Sequence, residues 1–164
     1  MERVRRAAID AAAGAAAGTA ATVPMTVLLV ALRRRGLVGA LPPRRVTDRA
    51  LHLADRAPAG GVLDPSERSR RVLAGALHVG FGALAGAAFA LGRRALPGGL
   101  PDPALGAAHG LAVWASAYLG WVPAMGALPR ADEDRSDRTA AMVAGHLVYG
   151  VVLGATLRVL RPRS

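Results

Sequence analysis

The sequence predicts an all-α integral membrane protein, a four-helix bundle built from two helix-pair repeats (1–2 and 3–4). Two observations carry this expectation. First, four windows contain no Asp, Glu, Lys or Arg: Ala11–Leu32, Val72–Gly92, Ala104–Pro129 and Thr139–Leu157. Each is near or above the ~20 residues that a helix needs to cross a bilayer core. Second, His78-Val-Gly-Phe-Gly-Ala-Leu-Ala-Gly86 in one window and His146-Leu-Val-Tyr-Gly-Val-Val-Leu-Gly154 in another share one pattern, His-x-x-aromatic-Gly-x-x-x-Gly. A duplicated pattern with two glycines on one helix face suits packed membrane helices, where small residues let backbones approach. The whole chain, 1–164, reads as a single transmembrane domain.

Helix 1 is expected over about 6–35. Its first half is mostly Ala and Gly, and Val27–Leu32 supplies the apolar weight. Pro24 should kink it or loosen a turn, which a bilayer tolerates when neighbours satisfy the freed carbonyl. Gly36 is placed to cap its C-terminus. The basic start, Met1–Arg6, and the apolar run behind it resemble a signal peptide. The run is long, however, and ends in Arg33-Arg-Arg35 with no small-residue cleavage site, so it reads as a retained helix. The polar stretch 36–64 is expected at the interface. In it Thr47 can cap a short helix with Ala50, Leu53 and Ala54 on its apolar side.

Helix 2 is expected over about 65–92. Asp64 serves as N-cap, Pro65 takes the first position and Glu67 lies three residues after the cap. Helix 3, about 103–127, starts in the same way at Asp102 and Pro103. Helix 4, about 137–158, starts near Ser136 or Asp137. The 2–3 and 3–4 connections are short, which makes sequential helices antiparallel neighbours. Helices 2 and 4 then run in the same direction. The two histidines should lie at similar depth, about 9–10 Å in from the window ends.

The net charge is +10, and every one of the 21 basic residues is Arg. Such a charge invites a nucleic-acid reading. Yet the arginines cluster at the ends of apolar segments, where they serve as snorkelling, headgroup-binding and topology signals. The expected partners are therefore the lipid bilayer and anionic lipid headgroups, with a homo-oligomer or a membrane partner also open, and no nucleic acid. Segments 33–71 and 129–138 carry 13 Arg on one side, against 8 on the other. This favours the long loop being cytoplasmic. The Ala- and Arg-rich composition suggests a GC-rich bacterial genome. With no Cys, disulfides, thiol redox chemistry and Cys-ligated metals are excluded.

Four polar residues stand out inside the apolar windows or at their edges: His78, His146, His109 and Asp10. His78, Gly82 and Gly86 share a helix face, as do His146, Gly150 and Gly154. The simplest role for each imidazole is a hydrogen bond to a carbonyl on a neighbouring helix. The alternatives are a proton-responsive or substrate-path role, or a haem or metal between His78 and His146. His109 lies on a seam with Ser116 and Gly120. Asp10 is in line with Gly14 and Gly18 and is expected to pair with Arg6 or another arginine. Gly106 and Gly110 complete the packing glycines. Thr19, Thr22 and Thr26 form one stripe, and Trp114, Tyr118, Trp121 and Met125 another. Both read as packing or interfacial residues. No phosphate loop, zinc-protease signature, serine-nucleophile elbow or intramembrane carboxylate pair is present. No enzyme activity, catalytic residue, resident metal or cofactor is expected.

Ala21-Thr-Val-Pro-Met25, Leu41–Leu51, the two His patterns and Val113–Gly126 together resemble a group of small four-helix bacterial inner-membrane proteins of unknown function, the YagU-type family. The resemblance implies four membrane helices, a loose link to acid tolerance and no catalytic residues. The expected function is thus that of a small non-enzymatic membrane protein, connected with envelope or pH stress. The alternatives are a haem- or metal-binding subunit through His78 and His146, or a small oligomeric proton or solute transporter.

Overall fold

A computed structural model describes residues 1–39, 42–56, 65–96 and 100–161. Within them the chain is helical and shows no strand. The helices are α1 (Glu2–Arg34), α2 (Pro42–Asp55), α3 (Glu67–Gly92), α4 (Asp102–Ser116), α5 (Val122–Ala124) and α6 (Ser136–Leu160). A short 3-10 turn, Arg93–Ala95, follows α3, and a π-helical segment, Ala117–Trp121, joins α4 to α5. Three helical stretches among the described residues are long and apolar enough to cross a membrane: Glu2–Arg34, Glu67–Ala95 and Ser136–Leu160.

Several boundaries differ from the sequence expectation, each for a local reason. Helix α1 runs through Pro24 without interruption. It ends at Gly36, whose φ of +76° suits glycine. There Leu37 N–H reaches Leu32 O and Gly36 N–H reaches Arg33 O, a paired C-terminal closure. Helix α3 starts two residues later than expected. The Ser66 hydroxyl, and not Asp64, caps it by accepting from Ser69 N–H at 3.2 Å; Asp64 itself lies outside the described residues. Thr47 sits inside α2, not at its start. Its hydroxyl donates to Pro43 O, and the residue is 1% exposed.

The largest departure is helix 3. The expected continuous segment to 127 breaks at Gly120, whose backbone (φ −115°, ψ −107°) is not helical. Pro123 has no N–H to offer the Leu119 carbonyl, and Arg130 Nη1 supplies a donor there at 3.3 Å. The segment then ends at Gly126, with φ +73° and the same double closure seen at Gly36: Ala127 N–H to Val122 O and Gly126 N–H to Pro123 O.

Helix α1 packs on both α3 and α6, and α6 packs on both α1 and α4. Two of these seams are made of glycine. Gly14 faces Gly86 and Gly18 faces Gly82; Gly106 faces Gly150 and Gly110 faces the His146 carbonyl and Gly150. Sequence numbers rise on one helix as they fall on the other, so both pairs are antiparallel. Between α6 and α3 the order is parallel. Tyr149 Oη donates to Gly82 O at 2.7 Å and Arg161 Nη2 to Ala90 O at 2.9 Å. Met25, Leu29, Phe89, Met142, Leu153 and Leu157 are buried among these helices.

Candidate functional site

One seam of the molecule is not closed. Helices α3 and α4 touch only lightly, and a cleft of about 690 Å³ opens between α3 and the α4–α5 segment. Its back wall is α1 and α6, through Met25, Leu29, His146 and Tyr149. Its floor is α2, through Pro43, Val46 and Thr47. Among the described residues no Asp, Glu, Lys or Arg lines it. That volume falls in the range of small-molecule pockets.

The floor is held by polar contacts made outside the apolar depth. Arg44 forms a two-pronged bond to Glu67, at 2.5 and 2.8 Å. That hydrogen bond and the charge of Glu67 raise the Arg44 guanidinium above its ordinary value. Arg70 pairs with Asp48 at 3.4 Å. Arg49 Nε donates to Met125 O at 2.6 Å, tying α2 to the end of α5. These bonds fix α2 across the ends of α3 and α5. The buried side of α2 is Val46, Thr47 and Ala50, whereas Leu53, expected on the apolar side, is 42% exposed.

The four polar residues singled out in the sequence fall in three places. His78 and His146 both line the cleft. They lie eleven and ten residues into α3 and α6, hence at similar depths of about 15–17 Å from the helix starts. The His146 Nδ1–H donates to its own helix, at Met142 O, 2.8 Å away. His109 stands elsewhere on the seam. Its Nε2–H donates to Ala85 O at 3.0 Å, and its ring stacks obliquely on Phe89 with centroids 5.2 Å apart. It is one of the few ties between α3 and α4. Asp10 pairs with Arg94 at 2.7 Å, while Arg6 pairs with Glu2.

The aromatics of the two His patterns stand in different surroundings. Tyr149 is 3% exposed and reaches the Gly82 carbonyl on α3. Phe81 is 42% exposed and stands against Trp121, ring centroids 6.0 Å apart, at the cleft's edge. Sequence reasoning also missed a cluster below the cleft. Tyr118 Oη donates to Asp134 at 2.6 Å, and Arg138 pairs with the same carboxylate at 3.3 Å. The spacing of Asp134 and Arg138, one helical turn, was the available signal. Nothing local linked them to Tyr118. No group of three or more metal-capable side chains forms among the described residues.

The described residues form membrane-length apolar helices and a cleft lined by no charged side chain among them. The family model that matches it, over residues 8–164, is described as Family of unknown function (DUF6789). The chain belongs to that family. No curated protein and no solved structure matches it, and the comparisons give no support to the YagU-type name.

Proposed function

We propose that this chain is a non-enzymatic, multi-pass membrane protein that holds a small lipid-soluble molecule in the cleft between α3 and α4. The observation that carries the reading is the cleft itself: a volume of about 690 Å³ at the level of two imidazoles, without a charged side chain among its described lining residues. Such a site excludes ionic substrates, because burying an unpaired charge there is costly.

In this reading the chain crosses the membrane four times, the broken α4–α5 segment being the fourth crossing. The helix pairs α1–α3 and α4–α6 are two copies of one unit, related by an axis along the membrane normal. The glycine-to-glycine contacts of each pair support this. Polar residues then separate into two sets. Residues 1–6, 93–96, 100–102 and 158–161 face one side, and residues 33–39, 42–56, 65–71 and 129–138 face the other, where their arginines meet anionic headgroups of a bacterial inner membrane. A part in envelope or pH stress rests on the family resemblance alone.

The chain has no Cys, so single cysteines report topology cleanly. Cysteines at Arg3 and Arg94 should be labelled by a membrane-impermeant maleimide from one face of sealed vesicles. Cysteines at Arg56 and Arg130 should be labelled from the other face only. Labelling of Arg94 and Arg130 from the same face contradicts a fourth crossing.

One observation favours a second reading. His78 and His146 line one cavity, and the His146 Nδ1 bond to Met142 O leaves Nε2 available to a metal. A haem held between the two imidazoles predicts a Soret band in purified protein that disappears in His78→Ala or His146→Ala.

A further inference from the structure

We infer that the molecule held in the cleft is a neutral lipid alcohol, a long apolar body carrying a hydroxyl group that is recognised by His146 and His78. The inference rests on the binding reading above and adds the chemistry of the ligand.

The argument starts from which polar atoms of the lining are already engaged. Thr22 Oγ1 donates to Thr19 O, and Thr47 Oγ1 to Pro43 O. Tyr118 Oη donates to Asp134 and Tyr149 Oη to Gly82 O. Each of these hydroxyls spends its single hydrogen within the protein. Toward a ligand these hydroxyls can only accept, and the ring nitrogens left to it are those of His78, His146 and the Trp121 indole.

The two imidazoles are not equivalent. A carbonyl oxygen only accepts, so the bond from His146 Nδ1 to Met142 O places the hydrogen on Nδ1. In a neutral ring the other nitrogen, Nε2, is then an acceptor. The His146 side of the cleft therefore calls for a ligand that donates. His78 forms no hydrogen bond to the described residues in the structure, so its ring can donate from either nitrogen. A hydroxyl satisfies both demands, donating to His146 Nε2 and accepting from His78. A ketone, ester or ether meets only one of them. A carboxylate or phosphate meets unpaired burial instead.

The rest of the cavity defines the body. Met25, Leu29, Phe81, Trp121 and Val122 offer apolar and aromatic surface. The opening lies along the seam between two helices, a path by which a molecule dissolved in the bilayer can enter sideways. Prenols, quinols and diacylglycerols share this chemistry.

The test is native mass spectrometry of the full chain in detergent, titrated with farnesol and with farnesyl methyl ether. These probes share a chain and differ in the hydroxyl hydrogen. Farnesol should bind once per chain and about tenfold tighter than the ether, a difference of about 1.4 kcal/mol. His146→Phe should bring the two affinities together, and His78→Phe should weaken farnesol in the same direction. A quinol and a 1,2-diacylglycerol, each set against its methyl ether, then separate the aromatic and acyl sources from the isoprenoid one.

Equal binding of farnesol and its ether to the unaltered protein overturns the alcohol assignment and leaves the cleft as a binding site. Farnesol binding left unchanged by both His146→Phe and His78→Phe, or no binding of any probe, overturns the cleft reading itself. A Soret band in the purified protein overturns both in favour of haem.

Discussion

The glycine seams and the α3–α4 seam solve the same packing problem in opposite ways. In α1–α3 and α4–α6, glycine faces glycine and the helices meet backbone to backbone. A Cβ at Gly86 would strike the Gly14 carbonyl, and one at Gly150 the Gly106 carbonyl. Between α3 and α4 the spacing is set by larger groups, namely the His109–Ala85 bond, the Phe89–His109 contact and the Phe81–Trp121 pair. Large side chains keep helix axes apart, and the space they leave becomes the cleft. In a bilayer, where lipid is as apolar as Leu, helix association depends on such close packing and on interhelical hydrogen bonds. The difference teaches that one bundle can hold rigid and open seams side by side.

Substitutions should show this contrast as a graded loss. The largest effect is expected for Gly150→Leu, which drives a side chain into backbone that has nowhere to move. The cost should reach ~3 kcal/mol or more, seen as loss of folded monomer or a large drop in melting temperature in detergent. Gly18→Leu should behave alike on the other seam, since its Cβ meets the Gly82 carbonyl. Tyr149→Phe should cost less. It removes one interhelical hydrogen bond, and such bonds in membranes are worth about 0.6 kcal/mol on average. The smallest effect is expected for Gly80→Ala. Its Cβ points into open space, and helix propensity alone should make the variant neutral or more stable by up to ~1 kcal/mol. If Gly80→Ala and Gly150→Ala destabilise equally in chemical unfolding, the two kinds of seam do not differ.

Much of this arrangement was legible in the residues. Uncharged windows of near-bilayer length mark the helices, because charge is excluded from that depth. Glycines spaced by four mark the close faces, because i and i+4 share a side. What the spacing does not encode is the partner of each face. The same four-residue interval is written on α1, α3, α4 and α6, and only the fold pairs Gly14 with Gly86 and Gly106 with Gly150. The break at Gly120 was hidden for a similar reason. The window Ala104–Pro129 is uncharged throughout, and Pro123 alone does not force a break, since Pro24 leaves α1 continuous.

At the site, His78 and His146 were visible as ionisable groups in apolar surroundings. Their shared cleft was not, because it depends on α4 standing away from α3. The floor was the least legible part. Thr47 reads locally as a cap, but its burial follows from Arg44, Asp48 and Arg49 anchoring α2 to Glu67, Arg70 and Met125. Those contacts span sequence separations that no local pattern reports.

The chain's two tryptophans allow the most direct test of the open seam. Trp121 lines the cleft. Trp114 continues the Gly106–Gly110 face at four-residue spacing and packs against the core. With both replaced by 5-fluorotryptophan and assigned through Trp121→Phe, the account predicts a specific fluorine NMR titration with farnesol. The Trp121 resonance should shift and saturate, while that of Trp114 holds its position. A Trp121 resonance that does not move, or two resonances that shift together without saturating, contradicts a ligand site confined to the seam between α3 and α4.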